Sequence, residues 1–149
     1  MNTIDCIKSR RSVRKFTEEK VPHEVLEQLV ELARWAPSWK NTQIARYVAV
    51  EDEALKNRIA EEATIPWNEG IIKGAPVLMV MTYVEKRCGY ERDGSFSTSK
   101  GTAGRTLTAV LRQRPLSWQP MSWGWAAWCW ASLRKRSCAS CWSCRRAWA

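Results

Sequence analysis

Apolar and polar positions alternate with recognisable periods over the first hundred residues. Residues 3–9 predict a short helix with Ile4 and Ile7 on one side. Pro22 fits the first turn of a second helix, where its missing N–H is not needed. Val25, Leu26, Leu29, Val30, Ala33 and Ala36 then recur at helical spacing, with Glu24, Glu27 and Glu31 on the outer face, and Pro37 stops the helix. Ile44–Val50 predicts a strand. The run 52–64 predicts a helix with a Leu55, Ile59 and Ala63 stripe and acids in its first turn, where the dipole favours them. Residues 67–76 read as a polar kink. The apolar run 76–84 predicts a central, buried strand. The fold class is α+β, a central β-sheet flanked by helices, and no internal repeat is visible.

Composition changes that picture at one place. The chain has 149 residues and a net charge of +9, enough for one domain with a modest core. Residues 1–100 are almost neutral. The remainder holds eight Lys+Arg and no acid, the last acid being Asp93. Seven of the ten Trp lie there (Trp118, Trp123, Trp125, Trp128, Trp130, Trp142, Trp148), with Cys129, Cys138, Cys141 and Cys144. No apolar run is long enough to span a membrane. The start, MNTIDCIKSRRSVRKF, has no apolar leader, so a cytoplasmic protein is expected. Cys6 and Cys88 read as isolated reduced thiols, in keeping with that compartment. His23, the only histidine, reads as a surface residue at a helix start.

Three stretches of the first hundred residues are chemically unusual. Ser9–Phe16 (SRRSVRKF) sets Arg10, Arg11, Arg14 and Lys15 around the Ser12 hydroxyl. Arginine forks suit phosphate, although a solvated basic turn has the same composition. Ala36–Gln43 (APSWKNTQ) gathers Ser, Asn and Gln after a helix, as a ligand loop or as a loop capped by its own side chains. Trp67–Pro76 (WNEGIIKGAP) precedes the apolar strand.

Their order and spacing carry more than any one of them. RRSVRxF after a short helix, APSxxNxQ after the next, then a strand, a helix and an N…AP turn into an apolar strand resembles the FMN-dependent nitroreductase family over residues 2–102. The resemblance implies a nitroreductase-like fold and an obligate homodimer with two FMN sites at the subunit interface. It also implies hydride transfer from NAD(P)H to flavin and on to a nitro compound, quinone or similar small acceptor. By matching motif, Arg10, Ser12 and Arg14 are expected to hold the FMN phosphate and ribityl chain, with Arg11 a neighbour. Pro37, Ser38 and Asn41 are expected to reach the flavin ring of the partner subunit, and Asn68 to sit near the ring edge. A doubly charged phosphate is well served by charge-assisted donors worth about 1.5–3 kcal/mol each. The reactive atom belongs to the flavin, so no catalytic acid or base is assigned among the side chains, and no metal ligand. Two positions depart from the family pattern: Ile44 stands where Pro is frequent, and Ile71 where a basic residue is frequent.

The larger departure follows Thr102. The family continues with an acidic, alanine-rich helix, another strand and a C-terminal arm, none of it recognisable after that residue. The tail instead reads as translation in a shifted frame. Trp and Met have single codons, TGG and ATG, which constrain the coding bases. If one G was lost just after the Thr102 codon, the same bases read one position earlier permit GWEDLDCGVAAKTFVLAAHELGLGSVVLG beneath residues 103–131. The run CASCWSCRRAW permits RELLELPEGMG. Synonymous choices are free in this decoding, yet acids, aliphatic balance and helical periodicity return together. Residues 1–102 are therefore expected to form the N-terminal part of a nitroreductase-like domain. Residues 103–149 are expected to be an unrelated basic Trp/Cys-rich tail of arbitrary structure, leaving the fold incomplete and the chain poor at retaining FMN and staying soluble.

Two literal readings of the tail compete. Cys138, Cys141 and Cys144 form CxxCxxC, half of a Cys-ligated metal signature with Cys129 upstream. Eight cations and seven Trp could bind nucleic acid or an anionic surface. The Trp at 123, 125, 128 and 130, however, point around the whole helical circle. The flavin reading therefore carries neither a nucleic-acid nor a membrane partner.

Overall fold

Helix α1 (Thr3–Ser9) starts where Asn2 Oδ1 accepts the Asp5 N–H at 2.9 Å, a side-chain cap for an otherwise orphaned donor. The computed structural model describes residues 2–122, with side chains to residue 116. Along the chain follow α2 (His23–Arg34), a 3₁₀ turn (Trp39–Asn41), β1 (Ala45–Val50), α3 (Glu53–Ala63), α4 (Pro66–Lys73), β2 (Leu78–Tyr83) and α5 (Ala103–Ser122). The described residues divide into two compact units. One comprises 2–12, 22–49 and 79–122, the other 13–21 and 50–78. No helix among them is long and apolar enough to cross a membrane.

The first unit is organised around α2 and α5. Leu26, Leu29 and Ala33 of α2 are buried as their spacing predicts. α2 ends at Arg34, two residues before the position preceding Pro37, where helical backbone is disfavoured. Leu29, Ala33 and Leu116 of α5 form the core cluster, with Val25 and Tyr47 packed against it. Arg112, one turn before Leu116, is also buried. Its Nη1 donates to the carbonyls of Ala33 (3.2 Å) and Arg34, so a guanidinium meets the negative end of α2. β1 and β2 form a two-stranded sheet, and the Val84 N–H donates to the Ile44 carbonyl at 2.9 Å, joining the end of β2 to the approach to β1. The connection from β2 to α5 folds on itself through a Tyr90–Phe96 bridge. Gly89 is required there: its φ is +88° and a Cβ would stand 2.7 Å from the Gly101 carbonyl oxygen.

In the second unit α3 packs on α4. Asp52 Oδ1 caps α3 by accepting the Leu55 N–H at 2.7 Å, and Pro66 opens α4. Lys56 is buried, and its ammonium donates to the carbonyls of Lys73 (3.0 Å) and Ala75, closing the end of α4. Lys73 pairs with both Glu61 and Glu69 at 2.7 Å.

Several expectations change. The buried face of α3 is Lys56, Ala60 and Ala63, with Leu55 and Ile59 half-buried, because α4 covers a sector one residue round from the apolar stripe. Residues 67–76 are mostly helix rather than kink: Pro66 fixes the first turn, and Asn68 and Ile72 face inward four residues apart. β2 is half-buried along most of its length and pairs with one described neighbour, so it is not a central strand of the described sheet. On α1 Cys6 is the buried residue, while Ile4 and Ile7 are 62% and 50% exposed. The compositional break after Thr102 coincides with the start of α5, which runs from Ala103 to Ser122. Cys129, Cys138, Cys141, Cys144 and the Trp from 123 onward lie outside the described residues, and with them the metal and nucleic-acid readings. Cys6 and Cys88 are both free and buried. His23 is exposed at the start of α2, 3.7 Å from Glu27.

Candidate functional site

The basic turn begins at the C-terminus of α1, where the Arg10 N–H closes the helix on the Cys6 carbonyl. Beyond it the chain leaves helical geometry and the side chains of Arg11, Ser12 and Arg14 are exposed. Arg10 Nη1 donates to Ser12 Oγ at 3.5 Å, which brings these two predicted residues together. Arg11 turns back: its Nη1 donates to the carbonyls of Lys8 (2.9 Å) and Arg10 (3.0 Å), so one face of this guanidinium serves the end of α1. Arg14 falls in the second unit.

The second motif is a strained loop. After Pro37 and Ser38 the backbone makes a 3₁₀ turn, and Lys40, Asn41 and Gln43 all take positive φ (46°, 52° and 50°). Non-glycine residues there cost roughly 1–3 kcal/mol each and persist only where the surroundings over-determine them. Inside the loop the Gln43 N–H donates to Ser38 Oγ at 3.3 Å, and Gln43 Nε2 donates to Asn41 Oδ1 at 3.2 Å. The Asn41 side chain thus keeps its amide donors for another partner. From outside, the Trp39 N–H donates to Thr108 Oγ1 of α5 at 3.0 Å. Lys40 Nζ meets Glu91 Oε1 at 2.7 Å and Ser97 Oγ at 3.5 Å. Hydrogen bonds to Glu91 from Lys40, the larger cause, and from Ser97 hold its carboxyl below its ordinary range. Pro37 and Asn41 are exposed and Ser38 is half-buried, so the loop presents its polar groups outward.

Asn68 lies in the first turns of α4 in the second unit, and it is buried. Residue chemistry flagged the Ser38 and Asn41 loop, but nothing in it announced that Gln43 and Lys40 adopt left-handed backbone, or that Thr108 reaches back across 69 positions. A separate cavity of about 470 Å³ in the first unit is lined by Arg34, Arg46, Arg87, Arg112, Trp35 and Tyr47 among others. It holds none of the eight predicted site residues. At its wall, burial raises the Tyr47 phenol above its ordinary pKa, with the Arg112 charge acting in the opposite direction.

Residues 7–75 match the model of the Nitroreductase family. Over 111 residues the chain is 32% identical to an iodotyrosine deiodinase of Thermotoga neapolitana, covering 60% of this chain and 59% of that one. It is 36% identical over 78 residues to an FMN reductase [NAD(P)H] of Bacillus subtilis, covering 52% and 30%. The chain thus spans less than two thirds of the length of these relatives, 59% of the one and 30% of the other. Its fold superposes with TM-score 0.72 on a nitroreductase of Exiguobacterium sibiricum solved in complex with FMN, at 19% identity, covering 91% of this chain and 77% of the other.

Proposed function

Residues 7–75 are nitroreductase-family sequence carried on a nitroreductase-like fold, and from that premise we propose that the chain is built as an FMN-dependent oxidoreductase, the flavin carrying hydride from NAD(P)H to a nitroaromatic, quinone or similar small acceptor. The donor set fits the cofactor. Arg10 and Ser12, already in contact, offer guanidinium and hydroxyl donors to a phosphate at an exposed turn, with Arg11 beside them. By the resemblance, Arg14 takes the same phosphate-binding role, and Asn68 the role at the ring edge. Pro37, Ser38 and Asn41 present an apolar ring, a hydroxyl and a spare amide toward a flavin ring held by a second copy, in a cytoplasmic homodimer. The protein binds, orients and excludes water; the redox chemistry belongs to the cofactor. The observation that carries this reading is the loop 38–43. Three left-handed non-glycine residues in a segment matched by the family model are strain of the kind functional loops store.

The test separates phosphate from ring. FMN and riboflavin are titrated into the chain and flavin fluorescence is followed. FMN binds more tightly than riboflavin, and Arg10→Ala removes most of that difference while leaving riboflavin unchanged. Equal affinity for the two flavins in the unsubstituted chain refutes the phosphate assignment.

The shifted frame after Thr102 belongs to the same proposal, and α5 supplies support for it. The displayed sequence sets Pro115 inside a helix and buries the Arg112 guanidinium with its Nε unpartnered. The shifted string places alanine and threonine at 112 and 115, residues that suit a close helix contact and an uninterrupted helix. The chain as displayed is then impaired relative to one with the frame restored. Sequencing the gene across the Thr102 codon decides the point. An intact frame spelling the displayed tail in independent clones excludes the shift. If the shift is real, inserting one G there raises soluble yield and retained flavin.

A further inference from the structure

We propose that Thr108 is a positioning residue whose buried hydroxyl holds the 38–43 loop in its strained conformation. The inference rests on the reading of that loop as a flavin contact. Lys40, Asn41 and Gln43 stand in left-handed backbone without being glycine, so something outside the loop must select this geometry over relaxed alternatives. Among the described residues, hydrogen bonds reach it from Glu91 and Ser97, both through the Lys40 ammonium, and from Thr108. The ion pair of Lys40 with Glu91 joins side chains 56% and 48% exposed, and a pair so open to water selects little. The tie to Thr108 is of a different kind. Thr108 is 1% exposed, and its Oγ1 accepts the Trp39 N–H at 3.0 Å. That N–H opens the 3₁₀ turn, one residue before the first left-handed position. The same hydroxyl lies 3.8 Å from Cys88 Sγ, which is 1% exposed.

One turn earlier on α5, Gly104 makes the approach possible. A Cβ at that position would stand 3.1 Å from Trp39 Cδ2, so the indole rests on bare backbone. The glycine admits Trp39 to α5 and the threonine fixes it there. The bond is part-buried, and its acceptor lies on a side chain closed to water, so an amide deprived of it has a poorer choice of partners. Losing the hydroxyl therefore frees the turn at the point where its strain begins. The shifted string places an aspartate at 108, which would offer an acceptor oxygen, but a tryptophan at 104, so the seat of Trp39 on bare backbone belongs to the displayed sequence alone.

Amide hydrogen exchange on the full chain tests this without any cofactor. The Trp39 amide exchanges at least about tenfold more slowly than an unprotected peptide, as a persistent hydrogen bond to a buried hydroxyl requires. Thr108→Val removes the acceptor at equal shape and speeds that exchange about tenfold, whereas Thr108→Ser keeps the hydroxyl and stays within about threefold of the parent. FMN affinity follows the same order, with Thr108→Val weakest. An unprotected Trp39 amide in the parent chain overturns the proposal whether or not the variants fold. So does a Thr108→Val chain whose Trp39 exchange is unchanged, or a Thr108→Ser chain as fast as Thr108→Val. If exchange responds as stated but neither parent nor variant binds FMN, the flavin reading fails while the tie stands.

Discussion

Replacing Pro115 by alanine is expected to stabilise the chain by about 2–3 kcal/mol. α5 runs from Ala103 to Ser122, so Pro115 is an interior position with about three turns before it. The pyrrolidine ring removes the N–H that would bond the Leu111 carbonyl and crowds that same carbonyl. Proline in a helix interior costs about 3 kcal/mol relative to alanine. Part of the gain is returned, because proline restricts the unfolded chain and its removal loosens that ensemble by about 0.4–1 kcal/mol. Position 115 is itself half-buried, whereas Arg112 and Leu116 on either side of it are buried. The core cluster of Leu116 with Leu29 and Ala33 therefore gains a straighter helix without losing a contact. Urea unfolding followed by circular dichroism at 222 nm measures the effect. With a slope of roughly 2 kcal/mol/M for a small protein, the midpoint rises by about 1–1.5 M at unchanged slope. An equal or lower midpoint would mean that α5 is not a continuous helix through residue 115, and its packing on α2 would have to be rebuilt.

Lys56→Met is expected to destabilise the second unit by about 2 kcal/mol. Two charge-assisted hydrogen bonds to the carbonyls at the end of α4 are lost, partly offset by no longer burying an ammonium; a urea midpoint equal to or above that of the parent contradicts it. The Tyr47 phenol is raised above 10.0 by burial, against the opposing Arg112 charge. The folded state therefore keeps that proton where the unfolded chain has lost it. The associated stability is present below pH 10 and disappears as pH climbs through the folded value. Unfolding midpoints measured from pH 9 to 11.5 show this fall, and Tyr47→Phe flattens it.

Much of the architecture was legible in residue order. The stripe of Leu26, Leu29 and Ala33 is a helix face because 3.6 residues per turn leave those side chains no other common side. Asp52 marks the start of α3 because a short carboxylate satisfies the first orphaned N–H groups. α4 was not legible: its residues are mixed in polarity, and it becomes a helix face only once α3 lies against Asn68 and Ile72. Lys56 shows the same limit from the other side. A lysine among polar neighbours reads as surface until two carbonyls from a later helix close over it.

The candidate site divides in the same way. Residue types alone set out the donors, since arginine forks, a serine hydroxyl and an asparagine amide have fixed chemistry wherever they stand, and their spacing matched one family. Whether Lys40, Asn41 and Gln43 hold left-handed backbone was not theirs to decide, because an isolated chain relaxes such angles at once. That choice belongs to Thr108 and Gly104, more than sixty positions away, which act on the loop only after α5 has packed. Local chemistry is a property of each side chain; strain survives only where distant parts of the chain press on the same few atoms.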